Sequence, residues 1–562
     1  MLRKTNLVYV LLMLMMVCFI VCCKGKHAAK KKEIVKKPAE MDEQVTANIQ
    51  AVLQFAEENN GKINDSVKLR LPEIVNAFYN KIDYHNIWSK KERWLALADS
   101  MFDFIEHSRY YGLYPSDYHF KELKNLRNKL IEDTLAKTDA IIWTKADVML
   151  TDAFMRTAKD IKEGRLLPDS VSIVTKENYV TSFFIKNLDD AIKSDSLTGL
   201  FNSLEPQNKK YQELRHLVKE FVDGMSNTPY QYIAYPQKDS SLLIKNIQKR
   251  LMQSGIARND SIPDSLAFSI EIKKYQSEHK IKADGKISAR LVDLMNNNDR
   301  EKFKRIAITL DRYKHLPDTL PSRFIWVNLP SYYLELWDND SLIIRSKVII
   351  GKPATPTPTL TSSISDMVTY PQWTIPESII KKDILPGLKK DPGYLDRKGY
   401  NLVDSKGDVV DPYTVKWAKY STGIPWKVMQ GSGDDNALGI LKFNFNNPYS
   451  VYLHDTNQRY LFDNTERALS HGCVRVQNWE GLAFYIANAD SLNKTKDKKL
   501  AYTVDSIKTW LANKDRKRIF VKNRLPLFIE YFSCEAKHDK LVFYKDIYND
   551  DRALADKYFA NK

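Results

Sequence analysis

"SHGCVRV", Ser470 to Val476, sets a histidine, a glycine and a cysteine side by side in a chain of 562 residues that holds only five cysteines. Cys473 can be read three ways: as a buried filler, as a metal ligand, or as a nucleophile. Nineteen positions upstream, "NPYSVYLHDT" (447–456) alternates in the manner of a strand. Tyr449, Val451 and Leu453 fall on one face, and Ser450, Tyr452 and His454 on the other, more polar one. A thiol of ordinary pKa, about 8.5, is mostly protonated near neutrality, and the thiolate is the attacking form. Imidazole suits the task of taking its proton. His454 and His471 are the two histidines nearest to Cys473 in the sequence. Gly472 permits close approach of a substrate to the backbone, where N–H groups can form an oxyanion hole.

The alternatives for Cys473 stay open on these residues alone. Zinc held by His454, His471 and Cys473 has suitable ligand types but lacks a second paired cysteine at a familiar spacing. A structural cysteine is common, yet two polar histidines beside it make a purely apolar niche costly.

The N-terminus bounds the compartment. Arg3 and Lys4 precede an apolar run from Leu7 to Cys23, 17 residues with no acidic group, which reads as an export signal. Its ending, Cys22-Cys23 before a polar lysine-rich stretch, resembles a bacterial lipoprotein leader; an uncleaved anchor and a cleaved signal are the other readings of residues 1–23. Three cysteines belong to this leader, so the exported body keeps Cys473 and Cys534, between which an oxidising compartment permits but does not require a disulfide. The net charge is +16, and removing Arg3 and Lys4 leaves +14. For an exported chain such an excess points to membrane headgroups or cell wall rather than nucleic acid, or simply to solvated lysines.

Length predicts several cores. Residues 24–45 read as a basic linker. Residues 46–235 read as a helical domain, with "WLALADSMFDFIEHSRYYGL" (94–113) and "DVMLTDAFMRTAKDIKEGRLLP" (147–168) gathering apolar residues on one helical face. A compact unit at 240–297 combines "LLIKNIQKRLMQSGI" with "SLAFSIEIKKYQSEHKIKADGKISARLVDLMN". From 303 to 550 the periodicity turns to strands, as in "FIWVNLPSYYLELWD" and "LIIRSKVIIGK". A Pro-, Gly- and Lys-rich insertion at about 372–432 reads as a lid facing the substrate. Residues 551–562 read as a C-terminal tail. The fold class expected is multidomain α+β: a mainly β domain with an inserted lid subdomain, a helical domain before it and a small helical module between.

Several motifs carry a resemblance. Ile247-Gln248, Leu251, Gly255, Phe268, Tyr275-Gln276 and Asp284-Gly285 resemble the small peptidoglycan-binding module of wall enzymes; glycan binding by 240–297 and a mere spacer are both open. "HDT" followed by "SHGC" resembles the signature of L,D-transpeptidases of bacterial cell walls. "VIIGKPATPTPTL", "YPQWTIPESIIKKDILP", "QGSGDDNALGILKF" and "VYLHDT" extend the likeness to the YkuD-type catalytic domain of their large periplasmic branch. "LYPSDYH" and "LTDAFMRTAKDIKEGRLLP" resemble its scaffold domain.

The resemblance implies Cys473 as nucleophile and His454 as general base, with the backbone carbonyl of Asp455 orienting the imidazole. It implies His471 and Gly472 around an oxyanion site, and Ser470, Tyr452 and Arg475 at the substrate. Arg475 would meet a carboxylate by a bidentate contact, or stand as an exposed surface arginine. The implied partners are peptidoglycan stem peptides as donor and acceptor, together with the membrane through an N-terminal lipid or anchor; no metal or cofactor is implied. The reaction would be a two-step acyl transfer that expels D-Ala from a tetrapeptide stem and joins two diaminopimelates. L,D-carboxypeptidase or endopeptidase action, or catalytically silent wall binding, are the rival readings. Cys534, in a strand-like stretch, reads as core.

Overall fold

The computed structural model describes residues 32–166, 180–226, 228, 230–492 and 502–559. The leader at 1–23, the start of the linker and the last residues of the tail lie outside them. The chain divides into two compact units, one built from residues up to 163 with 178–205, the other from 164–177 and 206–562.

The first unit is helical. Its central helix, Ala140–Lys162, is buried on nearly every face, with Asp147, Thr151, Asp152 and Asp160 among the buried residues. Asp139 caps its start by accepting from the Ile141 N–H. Asp147, inside this helix, is buried and accepts from Tyr79 Oη at 2.6 Å and from the Trp88 N–H at 3.0 Å. Burial, the largest effect, raises its pKa to about 6 despite those donors. Its partners are structural: together they close the turn at 87–88 against the helix.

In the second unit, nine strands are used below: β1 (Arg323–Asn328), β2 (Tyr333–Asp338), β3 (Ser341–Gly351), β4 (Leu360–Thr369), β5 (Leu441–Phe445), β6 (Leu453–His454), β7 (Ala468–Ser470), β8 (Val474–Val476) and β9 (Arg518–Glu530). Their order is β7-β3-β8-β6-β5-β4-β9-β1-β2, and β2 pairs back onto β3. Eight of the strands therefore close into a barrel, with β7 attached alongside β3. Closure removes free sheet edges. Val348, Ile350, Ile364, Leu441, Phe443, Leu453, Val474, Val476 and Leu527 fill the interior. The alternating partners of these residues, among them Lys442, His454 and Arg475, are thereby set on the outer wall.

Between β4 and β5 the insertion builds its own small sheet, from Trp373–Thr374, Lys427–Gln430, Tyr400–Val403 and Val409–Val410 in that order. Ile375, Ile384, Leu388, Leu395, Leu402, Trp417 and Val428 give it a separate core.

Four boundaries differ from those read in the sequence. The basic linker does not extend to 45: Val35 is buried, its N–H bonds to the Thr138 carbonyl, and the helix Met41–Glu58 already buries Met41 and Val45. The helical domain does not extend to 235, because the helix Lys209–Gly224 packs in the second unit, with Tyr211 against Tyr313 and Phe221 against Phe543. Strands do not begin at 303: the helix Asp299–Tyr313 crosses that position, capped by the Asn298 side chain. The tail is a helix, Asp550–Tyr558, whose Asp550 and Asp551 pair with Arg312. In each case a helical apolar period runs across a change in composition, and packing follows the period.

The unit at 240–297 holds the helices Ser240–Gln253, Ser265–Glu278 and Ala289–Asn296 around Ile247, Leu251, Phe268, Ile272, Tyr275 and Leu291. Gln276 ties its turn by bonding Asp284 and the Gly285 N–H.

Candidate active site

The register of β6 and β8 builds the site. The two strands are parallel, with Leu453 opposite Val474 and His454 opposite Arg475. Leu453 and Val474 enter the barrel core, fully buried. By the two-residue period, Tyr452, His454, Cys473 and Arg475 share the outer face. β5 adds Lys442, directly opposite His454. The nucleophile candidate and the imidazole are thus diagonal neighbours on adjacent strands, the arrangement that brings long side chains together. The strand itself is shorter than "NPYSVYLHDT" suggests. Asn447 braces Tyr449 and Val451, and Ser450 takes a positive φ of 56°. Tyr449 is exposed instead of joining the inward face.

The turn carrying Cys473 is held from both sides. The Ser470 hydroxyl donates to the Cys473 carbonyl at 2.6 Å and accepts from the Gly472 N–H at 3.1 Å. Thr357 Oγ1 donates to the Gly472 carbonyl at 2.7 Å and accepts from the Gly351 N–H at 2.9 Å. Tyr548 Oη bonds the Gly351 carbonyl at 2.7 Å, closing this brace. Gly472 itself has φ of 123°, which side chains other than hydrogen rarely adopt. A Cβ there would make only ordinary van der Waals contacts, the nearest with Pro356 O at 3.8 Å. Gly472→Ala is therefore expected to fold, with unchanged circular dichroism, while strain of about 1–3 kcal/mol displaces Cys473. Thiol alkylation rates and turnover should both change; a wild-type rate would contradict the need for this backbone shape.

Two residues that the family motif implies at the site are engaged within this turn. Ser470 is buried and both of its hydroxyl hydrogen bonds stay in the loop, which it shapes. The Gly472 N–H is likewise occupied. Among the described residues the Cys473 N–H has no acceptor, which makes it the donor available for an oxyanion.

His471 points away from the thiol. Its Nε2 lies 2.9 Å from Asp383 Oδ2, on the insertion, and 3.5 Å from Lys352 Nζ. It borders a cavity of about 620 Å³ lined by Trp373, Asp383, Pro386, Tyr394 and Tyr400. His454, His471 and Cys473 do not converge, and among the described residues no three His, Cys, Asp or Glu side chains are placed to hold a metal.

His454 is buried, and Nδ1 has no hydrogen-bond partner among the described residues. Burial first, then the Arg475 guanidinium, push its pKa down to about 3, while the backbone of Asp455 and Leu438 opposes the shift. The imidazole is therefore neutral in the resting site. The Asp455 carboxylate does not serve it: that group is buried against Arg459, at 2.8 Å, and the Ile440 N–H. Of Asp455, the backbone and not the side chain acts on His454, together with the backbone of Leu438.

Cys473 is half-buried, and its Sγ lies 3.9 Å from the Ser450 carbonyl. Burial raises its pKa, while Tyr452, Lys442 and Arg475 lower it. Burial wins, so the resting pair is thiol and neutral imidazole. The two cations await the charge that forms on deprotonation.

Arg475 is neither exposed nor paired with a carboxylate. Its Nη1 meets Gln458 Oε1 at 3.0 Å and Thr456 Oγ1 at 3.3 Å. Tyr452 lies beside the thiol; its Oη accepts from Trp373 Nε1 at 3.0 Å, and Lys442 Nζ sits 3.7 Å from the ring centroid. Burial and the neighbouring Cys473 raise its pKa, so it remains a phenol. Cys534 is fully buried, its thiol pKa raised by burial, and the two body cysteines are unbonded.

Lys442, Trp373 and Asp383 were not singled out from the sequence. Lys442 had a signal: in "ILKFNF" it alternates with Leu441 and Phe443, which marks it as facing the other way.

Two family models match the chain. Residues 322–490 match the L,D-transpeptidase catalytic domain, YkuD, and residues 73–217 match the scaffold domain. A Haemophilus influenzae protein named as a putative L,D-transpeptidase is 34% identical over 251 residues, 45% of this chain and 49% of that protein. The chain thus spans about half the length of this curated relative. An L,D-transpeptidase from Mycobacterium smegmatis is 11% identical, over 38% of this chain and 60% of that one, with a TM-score of 0.18. One from Xylanimonas cellulosilytica is 10% identical, over 54% and 100%, with a TM-score of 0.14. Neither superposition is close enough to carry an argument. The family matches rest on sequence, and they fall on the units that hold the site and the buried helix. Residues 322–490 of this chain are thus similar to the L,D-transpeptidase catalytic domain, YkuD, and the helical residues 73–217 before them to the scaffold domain.

Proposed function

We propose that the protein is a peptidoglycan L,D-transpeptidase with Cys473 as nucleophile. The observation that carries this reading is the row of Arg475, His454 and Lys442 on adjoining strands, with Cys473 diagonal to His454 on the same outer face. His454, held neutral by burial, takes the thiol proton as Sγ attacks the carbonyl carbon of diaminopimelate in a tetrapeptide stem. Arg475 and Lys442 stabilise the thiolate as it forms, and the Cys473 N–H donates to the oxyanion. Collapse of the tetrahedral intermediate breaks the C–N bond, and the proton on His454 goes to the departing D-Ala amine. The side-chain amine of a second stem then attacks the thioester and regenerates the thiol. Water in place of that amine gives L,D-carboxypeptidase action from the same thioester. The proposal includes export to the periplasm with attachment through the N-terminus, supported by the apolar run Leu7 to Cys23, and the insertion as the lid over the donor. For the module at 240–297 wall binding is proposed on motif resemblance alone.

Purified protein incubated with disaccharide tetrapeptides is expected to give dimers joined between two diaminopimelates, with one D-Ala released per dimer, by mass spectrometry. Tripeptides without dimers at every acceptor concentration would reduce the activity to hydrolysis.

A further inference from the structure

The register that aligns His454 with Arg475 continues across the barrel wall. Lys442 is opposite His454, Val368 is opposite Lys442, and Arg518 is opposite Val368. Arg475, His454, Lys442, Val368 and Arg518 thus form one row over the strands β8, β6, β5, β4 and β9. At a spacing of about 4.8 Å per strand the row spans at most about 19 Å, the reach of about six extended residues. The half of the row away from Cys473 opens into a cavity of about 540 Å³ lined by Val368, Pro371, Gln372, Lys442, Asn444, Arg516 and Arg518.

The charge of this cleft is unbalanced. Arg518 is held by Asp366, at 3.1 Å. Among the described residues Arg516 bonds the neutral Gln372 Oε1, at 2.9 Å, and no carboxylate. Lys442 has no hydrogen-bond partner among the described residues; its ammonium lies over the Tyr452 ring. Three cations against one carboxylate leave two positive charges facing the cavity. Lys442 is half-buried, so its charge is less screened than that of a surface lysine.

We propose that this cleft is a carboxylate-binding subsite, in which Lys442 and Arg516 take a carboxylate of the stem peptide that extends along the row from Cys473. The inference rests on the transpeptidase reading for the identity of the peptide. Its chemistry is that of two unbalanced cations lining one cavity. The carboxylate comes from the donor stem or from the acceptor stem, and the experiment separates them.

The test uses full-length protein carrying Cys473→Ala and a tetrapeptide stem with free carboxylates, against the same peptide with its carboxylates amidated, by calorimetry. The free acid is expected to bind about tenfold more tightly than the amide. Adding Lys442→Gln or Arg516→Gln should weaken the acid by about that factor and leave the amide unchanged. Arg516 is exposed, so its variant keeps the test decisive if Lys442→Gln perturbs the strand. In the background with Cys473 intact, a raised KM of Arg516→Gln for D-Ala release without acceptor assigns the subsite to the donor. A raised KM for acceptor alone assigns it to the acceptor. Variants that bind acid and amide as the parent does, in a protein that still makes dimers, would overturn the subsite and leave the transpeptidase reading standing. A wild-type protein that makes no dimers, while the Cys473→Ala protein discriminates acid from amide through Lys442 and Arg516, would overturn the reading of the reaction and not the subsite.

Discussion

Cys473→Ala is expected to lose both halves of the reaction, D-Ala release and dimer formation, below detection, while the protein folds as the wild type does. The loss should be complete because the thioester is the shared intermediate of both outcomes, and the other body thiol, Cys534, is fully buried at the start of the strand Cys534–Lys537, outside the barrel sheet. Folding should survive because Cys473 is half-buried and its backbone, not its sulfur, makes the bonds that hold the turn. Binding of a stem peptide should remain, since the subsite cations and the insertion are untouched. Wild-type D-Ala release by Cys473→Ala would remove the thiol from the mechanism altogether.

His454→Ala should lower the acylation rate by about 10²- to 10⁴-fold, the usual contribution of a positioned base. The pH dependence distinguishes this role from a structural one. The folded pKa of about 3 lies below the ordinary imidazole value of 6.5. The base form is therefore present at all pH values well above 3, and acylation should not fall between pH 7 and pH 5 through protonation of His454. The thiol behaves in the opposite sense, since its pKa is raised by burial. In His454→Ala the reaction depends on thiolate formed without help, so its rate should climb about tenfold per pH unit toward the alkaline range. The wild type should climb less steeply. Alkylation of Cys473 by iodoacetamide reports the same contrast without any substrate. Parallel pH profiles in the two proteins would exclude His454 as the base.

The reading of "SHGCVRV" and "HDT" as one site was open to sequence because their local patterns are short-range. Period two puts Tyr452 and His454 together, and the turn residues Ser470 and Gly472 act within three positions of Cys473. What the sequence does not carry is the strand pairing. Lys442 meets His454, and Val368 meets Arg518 across 150 positions, only because the barrel closes in one register. The barrel interior fixes that register through Leu441, Phe443, Leu453 and Val474, since a slip of one residue would turn these outward. Arg475 shows the same limit. It was read as a bidentate anchor or a surface arginine, and the structure places it half-buried on Thr456 and Gln458, where its charge acts on His454 and Cys473. The resemblance implies His471 at the oxyanion site. In the structure its ring meets Asp383, 88 positions away on the insertion, a partner that no local spacing announces. The displaced domain limits have the same origin, since a composition shift marks where a chain becomes polar and not where its helices pack.

Intact-protein mass spectrometry during turnover tests the central claim most directly. With a tetrapeptide stem and no acceptor amine, the protein is expected to gain the mass of the stem less D-Ala, and proteolysis should place that adduct on the peptide containing Cys473. The adduct should disappear when an acceptor stem is added, as dimers form. An adduct on any other residue, or dimers accumulating in Cys473→Ala, would contradict the account.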